Sequence, residues 1–139
     1  KCVKDPVIVG PDSESEQWAA EVARGAGAPF TVLEKVRRGD REVDISMPLA
    51  SRWRAHTPVL VDDIISTATT MMTTVRIMKE AGLPAPVCLG VHAVFAGDAY
   101  EALRSCGAAD VITCNTIEHP SNAIDVTPIL AESVRAFLR

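Results

Sequence analysis

The sequence predicts an α/β fold with a doubly wound, mostly parallel sheet and flanking helices. Apolar runs alternate with amphipathic stretches along the chain, which is typical of strands connected by helices. The run 58–65 is apolar except for two adjacent carboxylates, as expected for a buried strand at the centre of a parallel sheet. The composition is 47% hydrophobic and only 4% aromatic, and a chain of 139 residues can form one domain (1–139) with a substantial core.

Local signals give the order of the elements. Carboxylates at Glu14 and Glu16 complement the dipole of a first helix, Gly82 and Pro84 end a second, and Pro128 suits the start of the last. A basic, polar stretch at 35–40 predicts a hairpin or β-flap, and 51–57 a connecting turn. The predicted strands are 7–10, 30–34, 42–47, 58–65, 86–92 and 110–113, and the predicted helices are 13–26, 67–81, 98–105 and 127–138.

Charge and cysteine content narrow the function classes. A net charge of −4 argues against a broad nucleic-acid interface, and local clusters of arginine favour a small anion as ligand. No signal peptide or membrane span is evident, so the cytoplasm is the expected location. The chain begins without methionine, and we expect it to be a fragment of a longer protein. The cysteines lack metal-binding spacing and are predicted to be reduced thiols: Cys2, Cys88, Cys106 and Cys114.

The segment after the apolar run of 58–65 predicts a sugar-phosphate site. Its hydroxyl-rich turn opens a helix, where free backbone N–H groups and the helix dipole favour a phosphate. Asp62 and Asp63 repel that phosphate but suit sugar hydroxyls or a hard cation such as Mg²⁺. An ordinary Ser/Thr helix cap with solvated aspartates is the alternative. The residues of the predicted phosphate turn are Ser66, Thr67, Ala68, Thr69 and Thr70.

Two further segments are candidate ligand loops. Asp12 follows Gly10 at the end of the first strand, where it could bind a ligand or cap a helix. Lys35 and Arg37 alternate in an extended segment; together they suit a transferring phosphoryl group, although a solvated basic loop is the alternative. His92, His119 and the turn 115–122 are predicted to be structural.

Five segments in this order give the chain a resemblance to the ribose-phosphate pyrophosphokinase family, in particular to its carboxyl-terminal half, which has the type I phosphoribosyltransferase fold. The resemblance covers nearly the whole chain. It departs from the family at Glu14, Ser15 and Trp18, and at Thr69, where the family usually has glycine. The matching segments are Gly10-Pro11-Asp12, Lys35-Val36-Arg37, Asp62-Asp63 with the turn that follows, 92–97 and 115–122.

The resemblance implies transfer of diphosphate from ATP to ribose 5-phosphate, giving phosphoribosyl pyrophosphate and AMP. It implies that residues 66–70 hold the 5-phosphate, that Asp62 and Asp63 bind the ribose, and that Asp12 serves the pyrophosphate side and Mg²⁺. Lys35 and Arg37 would act on the ATP phosphates. It also implies an amino-terminal domain, absent here, that supplies much of the ATP site, and a homo-oligomer. A non-catalytic regulatory subunit and a phosphoribosyltransferase that consumes phosphoribosyl pyrophosphate are the alternatives.

Overall fold

The computed structural model describes residues 3–38, 42–47 and 50–138, and within 35–38 and 42–46 it describes the backbone alone. Its main sheet has six strands in the order β2-β1-β5-β6-β7-β8, and every neighbouring pair is parallel. This confirms the predicted doubly wound fold. The strands are β1 (Pro6–Gly10), β2 (Phe30–Val32), β5 (Thr57–Ile65), β6 (Val87–Ala93), β7 (Asp110–Cys114) and β8 (Asn122–Ile124).

The remaining strands form the predicted hairpin. β3 (Glu34–Arg38) pairs antiparallel with β4 (Glu42–Ser46) as a separate two-stranded sheet. Both ends of the hairpin join the core, since Leu33 and Met47 are buried in the largest apolar cluster. The Leu33 N–H also donates to the Gly10 carbonyl at 3.1 Å, so the hairpin begins beside the end of β1.

Helices cover both faces of the sheet. On one face α1 (Glu16–Ala26) packs Ala19 and Ala23 against β1 and β5. On the other, α2 (Thr69–Glu80) and α3 (Ala99–Ser105) contribute to a larger apolar cluster. The fourth helix, α4 (Thr127–Phe137), has no buried residue. The core of the molecule is therefore formed by the sheet with α1, α2 and α3, and α4 contributes no buried residue to it.

Several details differ from the sequence-based boundaries. The second helix begins at Thr69 rather than at residue 67, and the predicted turn 51–57 overlaps a 3₁₀ helix (Ala50–Trp53). A short 3₁₀ helix (Ser13–Ser15) precedes α1, because Asp12 caps this turn rather than the α-helix. Glu34 belongs to the hairpin instead of β2. The predicted structural turn at 115–122 leads directly into β8, which was missed because three residues give too short a pattern to recognise. Cys88, Cys106 and Cys114 are free thiols, as predicted, and Cys2 lies outside the described residues.

Candidate functional site at the carboxyl end of β5

The candidate site is a cavity of about 190 Å³ where β5 ends, here called the strand-end cavity. Asp62 lines it together with the whole predicted phosphate turn 66–70. The carboxyl edge of a parallel sheet is where open α/β folds bind ligands. The structure therefore brings Asp62 and residues 66–70 to one place, and it adds Ile64, Ile65 and Met71, whose apolar side chains carried no signal of a site.

The turn between β5 and α2 has one left-handed residue. Ala68 has φ 58° and ψ 8°, whereas Thr69 is already the first helical residue, so the threonine side chain is free of the strain that a positive φ would bring. The Thr69 hydroxyl donates to Thr67 Oγ1 at 3.1 Å. No side chain caps the amino end of α2, so its first N–H groups have no side-chain partner among the described residues. That arrangement suits a phosphate.

Asp62 is partly buried and Asp63 is exposed. Burial raises the pKa of the Asp62 carboxyl from its usual 3.8 to about 6. The Asp63 N–H, which donates to Asp62 Oδ1 at 3.0 Å, opposes that shift, while the negative charges of Asp63 and Asp12 add to it. A hydroxyl donor or a cation at Asp62 would offset the cost of its ionised form. Asp63 does not line the strand-end cavity.

Asp12 caps the 3₁₀ helix and also contributes charge to the site. Asp12 Oδ1 accepts the Ser15 N–H at 3.0 Å, and the buried Ser15 hydroxyl donates to the Asp12 carbonyl. A methyl group at Gly10 would overlap this hydroxyl, which is why the position requires glycine. Asp12 is thus a helix cap through its Oδ1 atom, as one of the two interpretations predicted. A role of Asp12 in binding a ligand or metal stays a prediction.

Gly90 is a supporting residue that the sequence reading missed. It is the register partner of Asp62 on the neighbouring strand β6. A Cβ atom at Gly90 would lie 2.5 and 2.6 Å from two carbons of the Ile65 side chain, so only glycine lets that side chain pack beside the turn. An isolated glycine inside an apolar strand pattern was the available signal for this close approach.

The hairpin contains the two predicted phosphoryl-transfer residues. Lys35 and Arg37 occupy alternate positions of β3, opposite Ile45 and Val43 of β4. Their side chains lie outside the described part of the chain, so their role stays a prediction. The hairpin itself starts at the same edge of the sheet as Asp12, through the bond from Leu33 to Gly10.

The histidines of the two remaining matching segments make internal hydrogen bonds. His92 Nδ1 lies 2.9 Å from Thr116 Oγ1, and that hydroxyl donates to the Val91 carbonyl at 2.8 Å. Because the hydroxyl has a single proton, His92 Nδ1 must be the donor to it. His119 contacts Ser121 in the turn before β8. Such bonds are expected of structural histidines.

The donor set suits a magnesium ion that a phosphate ligand helps to bind. Among the described residues, no group of three or more His, Cys, Asp or Glu side chains could hold a metal ion. Mg²⁺ commonly uses one or two carboxylates together with waters and substrate phosphates. Asp12 and Asp62 are close enough for their charges to interact, so these two carboxylates fit an ion that also binds a substrate phosphate.

Comparisons with known proteins agree with this architecture. The ribose-phosphate pyrophosphokinase of Methanopyrus kandleri is 34% identical over 131 residues, which are 94% of this chain and 45% of that protein. That of Sulfurisphaera tokodaii is 33% identical over 138 residues, which are 96% of this chain and 47% of that protein. The chain thus spans about half the length of these curated relatives.

Solved structures give the same result. The phosphoribosylpyrophosphate synthetase of Mycobacterium smegmatis superposes with a TM-score of 0.79 at 27% identity, over 97% of this chain and 45% of that one. An adenine phosphoribosyltransferase shares the fold with a TM-score of 0.58 at 20% identity, over 80% of this chain and 68% of that one. The family described as "Phosphoribosyl transferase domain" matches residues 2–128. With this match over most of its length, the chain belongs to the phosphoribosyl transferase domain family.

Proposed function

We propose that this chain is the ribose 5-phosphate-binding domain of a ribose-phosphate pyrophosphokinase. The observation that carries the proposal is the strand-end cavity, where the partly buried Asp62 and the turn 66–70 line one space beside the uncapped start of α2. An anion site and a hydroxyl acceptor that line one cavity suit the two ends of a sugar phosphate. The similarity to ribose-phosphate pyrophosphokinases over nearly the whole chain supports the assignment.

Each residue of the site has a proposed role. The backbone N–H groups and hydroxyls of 66–70 hold the 5-phosphate. Asp62 and Asp63 accept hydrogen bonds from the ribose hydroxyls. Asp12 serves the pyrophosphate side, where its second carboxylate oxygen would be available to a metal ion. Lys35 and Arg37 stabilise the charge on the diphosphoryl group, a lysine acting as a point charge and an arginine as a planar fork.

The proposed reaction transfers the β,γ-diphosphoryl group of ATP to the sugar. The anomeric oxygen of ribose 5-phosphate bonds to the β-phosphorus, the bond from that phosphorus to the oxygen of the α-phosphate breaks, and AMP leaves. The hydroxyl proton is released to the surroundings. Catalysis is mostly positioning and charge stabilisation, as in other phosphoryl transfers.

Magnesium is the proposed cofactor, and Asp12 and Asp62 are the residues that would hold it together with the substrate phosphates. When bound, Mg²⁺ would neutralise charge on the transferring phosphoryl group. The raised pKa of Asp62 supports this role, because the ionised carboxylate becomes favourable once a cation or a hydroxyl donor compensates its burial.

The proposed partner is the amino-terminal half of a two-domain protein, which contributes the rest of the ATP site. The relatives are about twice as long as this chain. The apolar side chains of α4 also lack a covering element within the described residues; they are Ile129, Leu130, Val134 and Phe137. We further propose that the whole protein is cytoplasmic and homo-oligomeric. No helix in the described ranges has the length and apolar character needed to cross a membrane.

Calorimetric titration with ribose 5-phosphate in Mg²⁺ tests the proposed site. We expect saturable binding that weakens by at least about 100-fold in Asp62→Asn/Asp63→Asn, because two charge-assisted hydrogen bonds are lost. The matched control, Glu80→Gln/Glu132→Gln, also removes two exposed carboxylates, but on helices away from the cavity, and should bind as the parent does. A folded chain without binding would contradict the proposal.

Turnover of the longer parent protein separates an enzyme from a regulatory subunit. Lys35→Ala should abolish most AMP formation while ribose 5-phosphate binding persists, since this lysine is assigned to the ATP phosphates. A parent protein with no turnover even before the substitution would favour the regulatory alternative. The left-handed position at Ala68 rather than Thr69 removes one argument for that alternative.

A further inference from the structure

A second cavity, of about 450 Å³, lies beside the strand-end cavity and is here called the aromatic cavity. Three rings that contact one another line it: Phe95, Tyr100 and His119. Their centroids are 5.2 Å apart for Phe95 and Tyr100, 4.6 Å for Phe95 and His119, and 4.8 Å for Tyr100 and His119. Only 4% of the chain is aromatic, so this concentration of rings in one wall is uncommon for the molecule.

Hydrogen bonding fixes which nitrogen of His119 carries a proton. The backbone N–H of Ser121 donates to His119 Nδ1 at 3.2 Å, and the Ser121 hydroxyl lies 2.7 Å from the same atom. A backbone N–H can only donate, so Nδ1 is the acceptor and the geometry assigns the ring proton to Nε2. His119 is therefore held by the turn before β8, and its Nε2–H donor has no partner among the described residues.

Charged groups of both signs complete the lining. The Arg104 guanidinium lies 5.5 Å from the centroid of the Tyr100 ring. The exposed carboxylates of Asp98 and Glu101 line the same cavity and can accept hydrogen bonds. A neutral ring that carries both acceptors and amino donors would satisfy this set better than a simple anion, which the two carboxylates would repel.

The wall of this cavity is connected to the phosphate turn. Phe95 has φ 28°, a left-handed value that is strained for a non-glycine residue. Its N–H donates to the Ile65 carbonyl at 2.8 Å, and the Ala96 N–H donates to the Ser66 carbonyl at 3.1 Å. The surrounding backbone thus holds Phe95 in a costly conformation directly next to the strand-end cavity.

We propose that the aromatic cavity binds an amino-substituted heteroaromatic base, such as that of an adenine nucleoside. The rings of Phe95, Tyr100 and His119 supply stacking surfaces, His119 Nε2–H donates to a ring nitrogen, and Asp98 or Glu101 accepts from the exocyclic amine. The volume falls in the range of small-molecule sites. This assignment is independent of the sugar-phosphate site, because it uses none of the residues of that site.

Calorimetric titration of the 139-residue chain with adenosine tests the proposal. Adenosine has no phosphate, so the turn 66–70 cannot account for its binding. We expect saturable binding, at least about fivefold weaker in Tyr100→Leu because stacking is lost, and retained in Tyr100→Phe, which keeps the ring. Inosine, which has a carbonyl in place of the exocyclic amine, should bind more weakly than adenosine.

Nuclear Overhauser contacts from the adenine H2 and H8 protons to the Phe95 and Tyr100 rings, measured in the unsubstituted chain, keep the test valid if Tyr100→Leu unfolds. Observation of these contacts supports the proposal. Lack of saturable adenosine binding would overturn it, as would equal binding by a folded Tyr100→Leu variant. Competition by ribose 5-phosphate without contacts to the rings would also overturn it, because the nucleoside would then occupy the strand-end cavity.

Discussion

The carboxyl group of Asp62 is subject to two opposing influences, burial and ligand binding. Burial favours its protonated form, and the nearby charges of Asp63 and Asp12 act in the same direction. The group nevertheless lines the cavity where β5 meets the phosphate turn. A side chain that is costly to ionise in the free protein is common at functional sites, where the ligand provides the compensating interaction.

The pH dependence of stability should expose this cost. Between pH 4 and pH 6 the folded chain retains a proton on Asp62 that the unfolded chain has lost, so its free energy of unfolding falls as the pH rises through this window. In Asp62→Asn the free energy of unfolding should depend less on pH, and above pH 6 it should exceed that of the parent by about 1 kcal/mol. The expected gain is this small because solvent screens the exposed part of the carboxyl group.

Urea denaturation at several pH values measures the effect. The two proteins should converge below pH 4, where Asp62 is protonated in both the folded and unfolded states. Glu80→Gln is the control, since Glu80 is an exposed carboxylate at the end of α2 and should leave the pH profile of the parent unchanged. A constant offset between Asp62→Asn and the parent at every pH would show that burial does not raise the pKa of this group.

At the scale of elements, the order of strands and helices could be predicted, whereas their junctions could not. The long run of β5 and the amphipathic patterns of α1 and α2 depend on many residues, so local exceptions do not hide them. The junctions depend on single contacts. The cap of the 3₁₀ helix by Asp12, the left-handed Ala68 and the close approach at Gly90 each follow from tertiary geometry.

The candidate site shows the same division. The polar residues of the phosphate turn and Asp62 were predicted from their position after an apolar run, and they line one cavity. The aromatic cavity was missed because Phe95 and His119 come from two different loops and Tyr100 from α3, and His119 is distant in sequence from the other two. No periodic pattern links residues that meet only after the sheet has formed.

The turn after β1 provides a test of one such junction. Gly10→Ala should destabilise the chain by about 1 to 3 kcal/mol, because the new methyl group overlaps the Ser15 hydroxyl. Ser15→Ala alone should cost about 1 kcal/mol through loss of its hydrogen bonds to Asp12. In the double variant the overlap with the hydroxyl is gone, so the combined cost should be at least about 0.5 kcal/mol less than the sum.

A double-mutant cycle from thermal or urea denaturation gives the coupling directly. Gly25→Ala is a suitable control for the glycine change, since a Cβ there meets no atom within 4 Å and its φ is not in the left-handed region. Strict additivity of Gly10→Ala and Ser15→Ala would show that the two positions do not compete for the same space.

At the scale of the whole molecule, one layer of the fold is incomplete within the described residues. Parallel sheets are normally covered on both faces. On the face packed by α1, the strands from β6 to β8 border an open apolar cavity of about 420 Å³. The side chain of Phe137 on α4 is 90% exposed as well. Both surfaces agree with the proposal that the amino-terminal half of a longer protein covers part of this domain.

The last prediction concerns the 139-residue chain by itself, which would supply only the sugar-phosphate part of the proposed two-domain site. We expect this chain to bind ribose 5-phosphate but to form no AMP from ribose 5-phosphate and ATP in Mg²⁺. Phosphoryl transfer requires both reactants to be held in line. Positioning both reactants is equivalent to an effective concentration of about 10⁵ to 10⁸ M, and a protein that binds only one of them loses most of this rate advantage. Phosphorus-31 NMR of the mixture follows AMP directly, and sugar-phosphate binding by the same sample confirms that the chain is folded. The prediction would be refuted by steady AMP formation that exceeds the rate without protein and is lost in Lys35→Ala. This chain would then contain a complete ATP site and would not need the amino-terminal half.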